Sequence, residues 1–100
     1  MATRLLKVEP INPLDECDVE HDSIDVHATL RDGRIYMFEV ATPNCVYDWM
    51  ANNSKRFYVG EPTVFVDRLT LENITRAIQA IVDSDSDALE TYGTLQTFSV

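Results

Sequence analysis

A chain of 100 residues has room for one domain. Its 45% apolar residues can build a core that takes roughly 65% of the unfolded surface out of water. Eight Lys and Arg stand against 17 Asp and Glu, for a net charge of −9. That balance argues against nucleic acid or an anionic membrane as partner, because both are held by Lys and Arg neutralising phosphates. It suits solubility, or a basic protein partner.

Residues 1–7 contain no apolar run of signal-peptide length, and no stretch nears the ~20 apolar residues needed to span a bilayer. The expectation is a cytoplasmic protein whose Cys17 and Cys45 stay reduced, two cysteines being too few for a secreted disulfide framework. In that setting the glycosylation-like triplets at Asn52 and Asn73 are chance matches. One domain over residues 1–100 is expected, with an acidic loop at 10–22 and a C-terminal extension at 84–100.

In chain order, residues 4–9 are short and rich in Leu and Val and read as a strand. Residues 23–30 alternate strictly, with Ile24, Val26, Ala28 and Leu30 on one face and Asp25, His27 and Thr29 on the other. Asp32-Gly33 marks a hairpin into a second β-rich run over 34–42. Two registers compete. A two-residue turn sets Val26 opposite Glu39. A three-residue turn with Gly33 left-handed sets Ala28 opposite Tyr36, Val26 opposite Phe38 and Ile24 opposite Val40. Only the second gathers one continuous apolar face, and a one-residue slip would scramble it.

Thr42-Pro43 then reads as an N-cap with proline in the first helical position, opening a short helix that stops at Asn52-Asn53-Ser54. Residues 57–59 are a candidate short strand and 63–69 a longer one. Thr70 caps a second helix with Glu72 in its first turn and an apolar stripe of Leu71, Ile74, Ala77, Ile78, Ile81 and Val82. A last strand is expected through 94–98. The order describes an α+β fold: an antiparallel sheet of four to five strands, with a short central helix and a longer C-terminal helix on one face.

Chemistry-bearing patterns are sparse. Gly33, Gly60 and Gly93 stand alone, so there is no phosphate-cradling loop and no dinucleotide fingerprint. Cys17, His21 and His27 with their neighbouring acids match no zinc spacing, and the acids lack the glycine and terminal glutamate of a calcium loop. Cys45, in the first turn of the short helix, is the one candidate nucleophile, since helix N-termini lower a thiol pKa; His21 and His27 are the available bases. Asp25 and Glu39, facing each other across two strands, are the one carboxylate pair. Neither pattern amounts to a catalytic signature, and no cofactor or metal is expected. Trp49, Phe57 and Tyr58 are the aromatics most suited to an interface.

The expected function is therefore a small acidic interaction domain that docks on a basic protein as an inhibitor, an immunity-type protein or a regulatory subunit. Asp15, Glu16, Asp18, Glu20 and Asp22 would steer association, and Asp25, His27, Met37 and Glu39 would form the contact face. The alternatives are a self-assembling homodimer and a small cysteine/histidine enzyme or metal-binding protein.

Overall fold

The alternation of residues 23–30 and the Asp32-Gly33 turn generate the centre of the sheet. In the computed structural model, which describes residues 4–60, 62–84 and 87–96, strands β1 (Leu5–Pro10), β2 (Ser23–Leu30) and β3 (Ile35–Ala41) form an antiparallel meander. The register is the three-residue one: Ile24 lies opposite Val40, Val26 opposite Phe38 and Ala28 opposite Tyr36. Leu30 N–H donates to the Arg34 carbonyl at 2.8 Å, Gly33 N–H donates to the Leu30 carbonyl at 3.0 Å, and Gly33 sits at φ 95°. Such a φ strains any residue with a Cβ, so glycine is what lets the hairpin close in this register. All six residues of those three pairs are buried.

Two short strands complete the sheet on the other side of β3. β4 (Val64–Phe65) runs parallel to it through Val40 and Ala41, and β5 (Gly93–Leu95) antiparallel through Tyr36, Met37 and Phe38. A parallel neighbour needs a crossover connection, and this one contains helix α1 (Pro43–Asn52). Helix α2 (Leu71–Asp83) lays Ile74, Ile78 and Val82 on the apolar sheet face, with Ala77 and Ile81 packed beside them. Helix α3 (Ala88–Tyr92) adds Leu89 to the same core. The buried ring of Tyr36 reaches α3 through its hydroxyl, which donates to Glu90 Oε1 at 2.6 Å and accepts from Arg34 Nη1 at 3.2 Å.

The α+β class and the five-stranded sheet stand as expected, but α1 does not join α2 on the core face. No α1 residue belongs to the core cluster. Its Cys45, Val46 and Trp49 border a cavity with Ser23 and Glu39, whose side chains point away from the core. Ala41 shares that parity and is nevertheless buried. The second sheet face is thus roofed at one end by α1 and open at the other.

Two expected strands shrink or vanish. Residues 57–59 are exposed and unpaired, and the 63–69 run pairs only at Val64–Phe65. The backbone of that run is drawn off the sheet at its far end, where Leu69 N–H donates to the Val19 carbonyl at 2.8 Å and Thr70 caps α2 through Asn73 N–H. Of the last strand expected through 94–98, residues 94 and 95 are paired, as part of a strand that starts one residue earlier at Gly93, and Thr97 and Phe98 lie outside the described residues.

Thr42 governs the junction of these parts. It is fully buried; its hydroxyl donates to the Glu20 carbonyl at 2.7 Å and accepts from Cys45 N–H at 3.3 Å, while its own N–H donates to the Asp22 carbonyl at 3.2 Å. Thr42→Val keeps the shape and removes the hydroxyl, costing the N-cap and orphaning an acceptor. The expected loss is about 2 kcal/mol, a fall of roughly 10 °C in Tm for a domain of this size. Thr42→Ser retains both hydroxyl bonds and should lose about half as much; equal losses in thermal melts would contradict this assignment.

Candidate functional site

The open sheet face is built by register. Asp25 lies opposite Glu39 and His27 opposite Met37, with Glu9 of β1 on the other side of His27. The four residues expected to form a contact face therefore share one surface. The acidic loop runs past the end of that face: the carbonyls of Val19, Glu20 and Asp22 are held by Leu69 and Thr42. Its carboxylates fold back on its own backbone, Asp22 accepting from the N–H groups of Asp18 and Ser23, and Asp18 from that of Glu20. None of Asp15, Glu16, Asp18, Glu20, Asp22, Asp25 and Glu39 has an ion-pair partner among the described residues.

Several of the exposed apolar residues lie around α1, others being scattered at Leu6, Ile11, Leu71, Tyr92 and Leu95. Pro43, Val46, Tyr47 and Met50 form a shallow groove with Phe65 of β4; Tyr47 is 65% and Phe65 49% exposed. On the adjoining side of the helix, Trp49 and Tyr58 meet edge to face, with ring centroids 5.5 Å apart and planes at 83°. Their cavity of about 220 Å³ also takes in Ser23, Glu39, Cys45 and Thr63. A second cavity of about 280 Å³ lies across Glu39, walled by Asp25, Met37, Pro62, Tyr92 and Thr94. The surface thus combines unpaired acids with aromatic and aliphatic side chains. Spacing along α1 hinted at Val46, Trp49 and Met50 as one face; what no local pattern carried is that Tyr58, nine residues on, folds back onto Trp49.

The chemistry suggested by single residues is not assembled. Cys45 does sit in the first turn of α1, but burial pushes its thiol pKa up; Ser23 opposes this, and the carboxylates of Asp22, Asp48 and Glu39 each add a lesser upward push. No histidine borders its cavity. Desolvation and negative neighbours thus oppose the lowering that a helix N-terminus would give the thiol. Burial likewise raises Cys17, whose Sγ donates to the Leu14 carbonyl at 3.0 Å. His21 is engaged with Asp48 of α1 through Nδ1 at 2.7 Å. Cys17, His21 and His27 are consequently dispersed, and among the described residues no group of three or more His, Cys, Asp and Glu is placed to hold a metal ion. Among those residues, too, no helix is long and apolar enough to cross a membrane.

Comparison of the chain with protein-family models, with curated proteins and with solved structures gives no match.

Two titrations follow. In a Cys17→Ser background, alkylation of Cys45 by iodoacetamide should be slower at neutral pH than that of a free thiol, its rate climbing only above the ~8.5 of an ordinary cysteine. A midpoint below that value would restore the nucleophile. For His21, the bond to Asp48 raises the pKa above 6.5, so the folded state prefers the protonated ring. That contribution is complete below the unfolded value and is lost as pH rises through the folded one. The Tm difference between the native protein and His21→Asn should accordingly be larger at about pH 5.5 than at about pH 8.5; an unchanged or reversed difference would break the assignment.

Proposed function

We propose that the protein is a binding module that docks on a basic protein surface, as an inhibitor, an immunity-type protein or a regulatory subunit does. The observation that carries this reading is the juxtaposition, on one side of the molecule, of unpaired carboxylates with exposed aromatic and aliphatic side chains around α1. Acids on a rim steer a cationic partner into place and suppress wrong ones, while the aromatic residues supply the desolvated contact that holds it. The acidic loop contributes to the steering field, and Asp25, His27, Met37 and Glu39 to the contact. A second copy of the chain is the weaker candidate for this surface, because each copy brings a net charge of −9 and like fields repel.

The test uses the full chain as bait in a native lysate at about 50 mM and about 500 mM salt, conditions between which exposed charges become strongly screened. A basic protein should be recovered at the lower salt and lost at the higher. It should then bind as purified protein to the native chain and fail to bind an Asp25→Lys, Glu39→Lys double variant. Recovery of the bait alone at both salts, or equal binding by the double variant, would overturn the reading.

A further inference from the structure

The cavity between α1 and the open sheet face has a composition that ordinary packing does not require. Its lining includes Trp49 and Tyr58, whose rings pack edge to face and nearly perpendicular, and Glu39. Glu39 is half-buried and accepts no hydrogen bond and forms no ion pair among the described residues. No Lys, Arg or His borders the cavity. Aromatic faces carry a negative quadrupole that attracts cations, and the attraction grows as water is excluded. A carboxylate beside two such rings fixes the sign of the ligand.

We propose that this cavity receives a single cationic side chain, an alkylammonium or guanidinium, seated beside the Trp49–Tyr58 ring pair and against the Glu39 carboxylate. The proposal rests on reading the protein as a binder of basic partners and names the group such a partner would insert. A volume of about 220 Å³ admits the end of one long side chain and no larger structural unit. The surrounding field has the same sign: Asp22 and Asp48 are near enough to disfavour a thiolate at Cys45, and Asp25 faces Glu39 across the strands. The neighbouring cavity repeats the combination of carboxylate and aromatic ring in Asp25 and Tyr92.

Gly60 has a part in the arrangement. A Cβ built there would lie 2.5 Å from Tyr58 Oη and 2.7 Å from its Cζ, so the Tyr58 ring lies over the glycine and depends on the missing side chain. Gly60→Ala displaces that ring, and because the tyrosine is a partly exposed side chain it does so without disturbing the core.

Trp49 is the chain's one tryptophan, so its fluorescence reports occupancy of the cavity directly. The folded full-length protein is titrated with the N-acetyl methylamides of lysine, trimethyl-lysine, arginine and, as neutral control, norleucine. At least one cationic probe should give a saturable change in Trp49 emission that norleucine does not. Glu39→Gln should weaken that probe by about tenfold, the scale of one lost charge-assisted contact, and Gly60→Ala should weaken it while leaving Tm unchanged. Which cation binds best distinguishes an ammonium from a guanidinium receptor. A change with norleucine equal to that with the cations, undiminished binding by both variants, or no saturable response to any cation would overturn the proposal. If the salt-dependent capture of a basic protein survives such a result, the cavity assignment alone is lost; if the capture fails as well, both readings are.

Discussion

One buried hydroxyl holds three pieces of this fold in register. At Thr42 the last strand of the meander ends, a helix begins and the acidic loop passes, and each of these leaves a backbone group in need of a partner. The loop carbonyl of Glu20 needs a donor, and the first turn of α1 needs an acceptor for its free N–H groups. The hydroxyl serves both. Because the side chain is fully buried, water cannot substitute for either bond, so the positions of the loop and helix relative to the sheet become one coupled quantity. The cavity under α1 inherits its shape from that coupling, since the helix forms its roof and the sheet its floor.

The meander and its turn were legible because they obey local rules. Alternation over residues 23–30 has one period, and only one hairpin register puts every apolar residue on the same side. The capping signals at Thr42-Pro43 and Thr70 were legible for a similar reason, the relevant side chain lying within three residues of the N–H it bonds. What escaped depends on partners distant in sequence. Val64-Phe65-Val66 reads as strand throughout, but the chain pairs for two residues and then leaves, because Val19 offers a backbone bond to Leu69. Periodicity marks the apolar side of α1 without saying which face of the sheet it meets. That Asp25, His27, Met37 and Glu39 share one face was readable, as alternation alone places them together once the register is chosen. The aromatic wall beside it was not.

The charge distribution has two opposed effects on this small domain. Seventeen acids against eight bases repel one another in the folded state more than in an expanded chain, and few of them are relieved internally: among the described residues, carboxylate ion pairs with Lys or Arg occur at Lys7–Glu9, Arg34–Asp32 and Arg76–Glu72, each largely exposed. Such exposed pairs contribute little, typically under ~1 kcal/mol each. The acidic loop moderates its own repulsion by turning carboxylates onto its backbone N–H groups. A cation brought to the open face would relieve what the chain leaves uncompensated, so binding and stability are linked in the same direction.

The way β1, β2 and β3 follow one another also bears on how the molecule is made. The β2–β3 turn is short and β1 joins across residues 11–22, so the meander's own contacts all lie within residues 5–41 and can form before α2 is synthesised. The side of that meander that Ile24, Val26, Tyr36, Phe38 and Val40 present is completed by Val64, Val66, Leu69, Ile74, Ile78, Val82 and Leu89, which come later in the chain. A ribbon of those three strands alone would present a bare greasy side. Two features limit its attachment to neighbours: the outermost strand carries an irregularity between Leu5 and Lys7 and ends in Pro10, which has no N–H to offer another chain.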